Sequence, residues 1–269
     1  QLESLVGDIR VRGFGSLNFD MSYGLPKQTM QSLEKTLTSL IAMNPDRVSY
    51  YNYAHLPQRF AGQRAINEVD LPKPGLKLQM LRYIVERLTD AGYVYIGMDH
   101  FVKREDSLAM AQRDGSLCRN FQGYTTHGEC DLLGLGVSSI SQIGTAILQN
   151  KKELKHYYQA VDEQAGSAIN KGMHLTQDDL IRADAIKQLI CQFELDMSVF
   201  ANRHKISFND YFQDALEALA PLIADEMVTI ENNLISVTPK GNLFIRIICM
   251  CFDAHLQKQI NATRFSRVI

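Results

Sequence analysis

Short apolar runs and helical stripes alternate through the first half of the chain. A predicted strand at 16–23 contains a short apolar run ending in a carboxylate, Asp20, and turns sharply through Gly24, Leu25 and Pro26. Behind a Thr29 N-cap, Met30, Leu33, Leu37, Leu40 and Ile41 recur at helical spacing, and Asn44-Pro45 stops the helix. The theme repeats with a strand at 47–53, a loop holding Pro57, Gly62, Pro72 and Pro74, a helix at 76–91 closed by Gly92, and a strand at 93–98. Such alternation predicts right-handed βαβ crossovers and a parallel sheet. Three or four units cannot close an eight-stranded barrel, so the expected fold class is α/β, a truncated parallel β/α barrel. Before it, Leu2, Leu5, Val6 and Ile9 share a helical face that ends at Gly13. A chain that opens inside an amphipathic helix reads as a piece of a longer protein.

From about Lys151 the pattern becomes helical. A helix at 151–165 carries Leu154, Tyr157, Tyr158 and Val161 on one face. Thr176 with Asp179 forms a capping-box variant before a helix with Ile186, Leu189, Ile190 and Phe193 inward. A helix at 209–219 precedes Pro221, and strands at 227–230 and Leu234–Val237 flank a Glu231-Asn232-Asn233 turn. Thr238-Pro239 opens the last helix. The expected division is a barrel part, 1–148, and a helical, winged-helix-like part with a small β-hairpin, 149–269.

Composition narrows the function classes. With 28 basic and 30 acidic residues among 269, there is no field to favour nucleic acid or an anionic membrane. From Ile206 to Pro239 there is no Lys or Arg, while Asp210, Asp214, Glu217, Asp225, Glu226 and Glu231 are acidic; a recognition helix without cations cannot neutralise phosphates. No apolar run reaches the roughly 18 residues of a membrane span, and the start has no secretory pattern. Five cysteines, an odd count, fit free thiols in a reducing cytosol. A cytoplasmic protein is expected.

Candidate chemistry is scattered. Asp20, beside a strand–turn–helix junction, suits the hydroxyls of a bound nucleoside, although an Asp bonding its own turn is the commoner case. Cys118, Cys130, Cys191, Cys249 and Cys251 form no C-x₂-C pair. His127-Gly128-Glu129-Cys130-Asp131 holds favoured ligand types, but neighbours in a loop seldom converge on one metal. Asp99-His100 at a strand end is a candidate acid–base pair. Gly134 and Gly136 allow close approach of either a ligand or another backbone. Lys103, Arg104, Arg113 and Arg119 form a loose basic stretch, a solvated surface or a binding site for a polycarboxylate.

The blocks NFDMSYGLPKQT, NPDRVSYYNYAHLP, GYVYIGMDHF, RNFQGYTTHGECDLLGLGVSSIS, ELKHYYQAVDEQ and ICMCFDAHL…FSRVI, in this order, resemble the oxygen-independent coproporphyrinogen III oxidases (coproporphyrinogen dehydrogenases) of the radical SAM superfamily. The resemblance implies an oxidoreductase that oxidatively decarboxylates two substrate propionates, each losing its carboxyl carbon as carbon dioxide. They become vinyl groups, giving protoporphyrinogen IX for haem synthesis. It further implies a 4Fe-4S iron–sulfur cluster on a C-x₃-C-x₂-C motif, two S-adenosyl-L-methionine molecules, and an electron donor to the cluster. By the matching motifs, Asp20 and Ala54 would contact the second S-adenosylmethionine and Ile140 the cluster-bound one. Arg104 and Arg119 would bind substrate.

No C-x₃-C-x₂-C occurs in this chain, so the cluster ligands are absent. No catalytic residue and no metal ligand is therefore assigned within it. The expected reading is the C-terminal portion of such an enzyme, inactive alone and self-associating through the cut edge of its first strand. Two other readings stay open: a haem-binding or haem-trafficking relative without radical chemistry, and a regulatory winged-helix module on an α/β sensor.

Overall fold

Asn18-Phe19-Asp20-Met21-Ser22-Tyr23 alternates polar and apolar residues, and as strand β1 (Asn18–Tyr23) it turns one side chain in two toward each face of a sheet. The computed structural model describes residues 2–128, 130–163 and 167–257. Gln1, Glu129, Ala165 and the C-terminal FSRVI block at 265–269 lie outside the described residues. Before β1, helix α1 (Leu2–Val11) ends at Gly13, whose positive φ of 81° continues the stop. Its apolar face is largely exposed, with Val6 buried.

The fold is α/β. β1 pairs in parallel with β2 (Arg47–Asn52) through helix α2 (Met30–Met43), as the sequence predicts. Thr29 and Ser32 cap α2 reciprocally. Helix α3 (Pro74–Asp90) then leads to β3 (Tyr93–Gly97). Here the all-parallel expectation fails. Gly97 and Met98 take positive φ (136° and 53°), so the chain folds back at once into β4 (His100–Lys103). β4 lies antiparallel between β2 and β3, giving a mixed sheet in the order β1-β2-β4-β3. The outer face, with Tyr23, Val48, Tyr50 and Phe101, packs on Leu33, Leu37 and Leu40 of α2 and Met80, Ile84 and Leu88 of α3.

Helix α4 (Ser107–Asp114) and the hairpin β5 (Cys118–Asn120) and β6 (Gly123–Thr125) follow. An antiparallel sheet, β7 (Ile140–Ile143), β8 (Ala146–Asn150) and β9 (Ile169–His174), runs across the expected boundary at 148. Helix α5 (Leu154–Glu163) enters this sheet's last connection, and its Leu154, Tyr158 and Val161 face outward. β9 is exposed along its length, so no burial alternation marks it in the sequence.

The remaining chain forms α6 (Gln177–Gln192), β10 (Glu194–Asp196), α7 (Met197–His204), α8 (Phe208–Tyr211), α9 (Gln213–Ala224), β11 (Val228–Glu231) and β12 (Leu234–Val237), with strand order β10-β12-β11. The Thr176–Asp179 capping box and the turn at Asn232 and Asn233 form as predicted. Pro221 lies inside α9 instead of after it. The last helix is broken into α10 (Pro239–Asn242), α11 (Ile245–Met250) and α12 (Ala254–Gln257). A second core joins these elements to Ile96 of β3, Val102 of β4 and Leu108 of α4. Gln112 stitches the seam, donating to the carbonyls of Ile96 (2.8 Å) and Cys191 (3.0 Å).

Leu37 is fully buried between α2 and the sheet. Leu37→Ala should cost about 2–5 kcal/mol in urea unfolding, whereas Gln31→Ala, at an exposed position of the same helix, should stay within ~0.5 kcal/mol. Equal losses at the two positions would contradict this packing.

Candidate functional site

Because β4 sits beside β2, Asp20 lies opposite Ser49, and Ser49 opposite His100. The three side chains form a polar row across the inner face of the sheet. Ser49 is only 3% exposed, so this polarity is built into the sheet. Asn18 Nδ2 donates to Asp20 Oδ1 at 2.8 Å, and the Ser49 hydroxyl reaches Asn18 Oδ1 at 3.4 Å. The row lines a cavity of about 260 Å³ together with Arg47, Tyr51, Gln122 and Tyr124. Arg47 is fixed by a two-pronged bond to Asp106 (2.8 and 3.0 Å), the residue that also caps α4.

His100 ends the row on β4. Its ring meets Tyr124 (5.3 Å) and Tyr51 (6.2 Å) edge-on, and its Nδ1 is buried with no hydrogen-bond partner among the described residues. Burial, reinforced by the charge of Arg119, pushes its pKa down to about 4, so the imidazole is neutral near pH 7. The β5–β6 hairpin covers it, with Gly123 over Nε2. Tyr124 is anchored by its hydroxyl, which donates to the Ile190 carbonyl at 2.9 Å. Gly97 makes room for that hydroxyl: a Cβ there would stand 2.5 Å from it.

A second cavity, of about 90 Å³, opens past the ends of β1 and β2, between Tyr23, Tyr51, Asn52, Ala54 and the Asp99–Arg246 pair. Tyr51 borders both cavities. Arg246 Nη2 lies 3.0 Å from Asp99 Oδ2. Burial raises the Asp99 pKa, while Arg246 and Arg119 oppose that rise. Asp99 therefore serves the smaller cavity and His100 the larger. They do not form the acid–base pair that their adjacency suggests.

Asp20 sits in mid-strand instead of at the strand end, exposed in the larger cavity. Ala54 lines the smaller one, where its carbonyl accepts from Gln63 Nε2 at 3.0 Å. Ile140 opens β7, and Gly134 packs directly on its backbone, so that glycine serves backbone packing. Arg119 stacks over Tyr124 (5.6 Å), which lines the larger cavity, whereas Arg104 is exposed beside Arg113, whose Nη1 donates to its carbonyl. Lys103 lies over Tyr93. Burial pushes the Cys191 and Cys249 thiols up to about 12. Among the described residues, no three His, Cys, Asp or Glu side chains gather to hold a metal ion.

Sequence reasoning missed Ser49, Tyr51, Tyr124 and Arg246. The alternation in Asn18–Tyr23 was the available signal for the polar face. Nothing local marks Tyr124 or Arg246, which reach the sheet from distant segments.

Residues 175–244 match the family described as HemN C-terminal domain. The oxygen-independent coproporphyrinogen III oxidase of Escherichia coli (strain K12) is 53% identical over 266 residues, covering 99% of this chain and 58% of the relative. Its counterpart in Pseudomonas aeruginosa is 48% identical over 269 residues, 100% of this chain and 58% of the relative. That of Thermostichus vulcanus is 43% identical over 261 residues, 97% and 80%. A solved structure described as "Coproporphyrinogen III oxidase (HemN) from Escherichia coli is a Radical SAM enzyme" superposes with a TM-score of 0.90 at 53% identity, covering 94% of this chain and 58% of that one. The chain thus spans under two thirds of the length of the first two relatives.

The neutral His100 has a consequence for stability. The unfolded imidazole titrates near ~6.5, above the folded value of about 4, so the unfolded chain takes up the proton first. Its contribution is complete above ~6.5 and is lost as pH falls through about 4. His100→Gln should flatten the acid limb of stability across this window in urea unfolding. Identical pH slopes for wild type and variant would refute the neutral assignment.

Proposed function

Because the chain belongs to the family of oxygen-independent coproporphyrinogen III oxidases, we propose that it is the portion of such an enzyme that shapes the cofactor and substrate side of the active site. The reaction proposed is oxidative decarboxylation of two propionates of coproporphyrinogen III to vinyls by S-adenosylmethionine radical chemistry, giving protoporphyrinogen IX. The polar row of Asp20, Ser49 and His100 carries this reading, since it runs from an exposed carboxylate to the buried Ser49 hydroxyl along one cavity wall, where polarity inside a sheet serves a ligand.

The residues present fit S-adenosylmethionine. Asp20 offers an exposed carboxylate to a ribose hydroxyl, and the Ala54 carbonyl keeps one lone pair beyond its bond to Gln63. Ile140 would serve through its backbone. They do not fit an iron–sulfur cluster: burial holds the Cys191 and Cys249 thiols protonated, and among the described residues no cluster of ligands gathers. When bound, the cluster supplies the electron that cleaves S-adenosylmethionine. Its ligands, and the contact to an electron donor, would lie in the part of the relatives' length that this chain does not span. The positive charge of Arg119 over Tyr124 suits the substrate's carboxylates, and the exposed Arg104 is proposed with it.

We further infer a partial β/α barrel in the first part of the chain and a winged-helix-like part after it, the latter supported by the order of α6 to β12, with the β7-β8-β9 sheet bridging the division expected at 148. The acid-rich, Lys- and Arg-free stretch from Ile206 to Pro239 supports a packing role without nucleic acid. No described helix is long and apolar enough to cross a membrane, and a cytoplasmic enzyme remains our reading. β1 is an edge strand of its sheet among the described residues, and self-association through that edge is proposed.

Purified alone, this chain should hold no stoichiometric iron after anaerobic reconstitution. An EPR cluster signal abolished by Cys118→Ser would refute that. In the full-length enzyme, Asp20→Ala should remove a bond worth ~1.5–3 kcal/mol and weaken S-adenosylmethionine binding roughly tenfold or more. Wild-type affinity in that variant would leave Asp20 bonded only to Asn18.

A further inference from the structure

Arg246 reaches the sheet from α11, 147 residues beyond Asp99 in sequence. The segment that carries it is held on both sides: Leu243 packs against the first core, and Ile245 belongs to the second. Its guanidinium spends one nitrogen on Asp99, and the two partners differ in exposure. Asp99 is 16% exposed and Arg246 50%, so the outer edge of the guanidinium stays open at the smaller cavity. An arginine clamped by a carboxylate on one edge presents the other as an oriented, two-pronged donor.

The charges around this point favour an anion. Around His100 act the guanidiniums of Arg119, Arg246 and Arg47 against the single carboxylate of Asp20. Asp99 itself answers two cations, Arg246 and Arg119. The cavity's about 90 Å³ equals roughly six water-sized volumes. That is room for a short carboxylate-bearing arm, not for a whole tetrapyrrole. On the same wall Asn52 supplies a buried Oδ1 with no partner among the described residues, an acceptor open to a ligand's donor.

We propose that Arg246, oriented by Asp99, is a receptor for a ligand carboxylate in the smaller cavity. This rests on the function proposed above, which offers two carboxylate sources: a substrate propionate and the α-carboxylate of S-adenosylmethionine.

The test uses the full-length enzyme, handled anaerobically. Fluorescence titration with coproporphyrin III, an unreactive tetracarboxylate, reads the first source, and calorimetry with S-adenosylmethionine reads the second. Arg246→Gln should weaken one of the two roughly tenfold to a hundredfold, and Asp99→Asn should weaken the same one by less. Loss for coproporphyrin III identifies the propionate, and loss for S-adenosylmethionine identifies its α-carboxylate. If both variants bind both ligands within twofold of wild type while their unfolding midpoints fall together, the pair is only a structural tie and the proposal fails. Should Arg246→Gln not fold, Arg246→Lys keeps the charge without the fork. It should still lose about tenfold, and wild-type affinities for both ligands would overturn the proposal. A wild-type enzyme that binds neither ligand would overturn the functional reading as well.

Discussion

A strand can give each face only every second side chain, and four strands bind that rule into a single decision about the whole sheet. Here the outer face is given wholly to packing on α2 and α3. The inner face is divided. Ile96 and Val102 feed the second core, while Asp20, Ser49 and His100 stay polar. A one-residue slip of β4 against β2 would put Phe101 beside Ser49 and turn His100 into the core. The apolar demands on both sides of the sheet therefore fix the register that assembles the polar row.

Much of the α/β half was legible because local and global signals agree there. Thr29 caps α2, the Leu33–Leu37–Leu40 stripe faces the sheet, and the crossover from β1 to β2 is short. What escaped was the order of strands beyond β2. Met98 in a left-handed conformation is not a local preference, since non-glycine residues seldom adopt it. It is imposed when the hairpin packs, and so β4 cannot be read from its four residues. β9 and β10 escaped for a related reason: one is exposed throughout and the other is three residues long. The short length and full exposure of such elements leave no periodicity to detect.

The candidate site was legible in part. Asp20 stood out as a carboxylate, but the attention given to the turn after it hid the alternation that places it in mid-strand. The Asp99-His100 pair was visible as a dipeptide, yet a dipeptide cannot say that its members face different cavities. Arg246 and Tyr124 belong to the site only through tertiary packing: one is set by the junction of two cores, the other by a hydroxyl that reaches Ile190.

Tyr51 has cavities on both sides of it. Two guests in these spaces would press on one ring, which is 39% exposed and meets His100 edge-on. A guest that displaces the ring reshapes its neighbour's room. Whatever one arrival does to the affinity for the other must be returned in equal measure, because thermodynamic linkage is reciprocal. The two cavities thus share one wall, an aromatic partition through which the occupancy of one bears on the room left in the other.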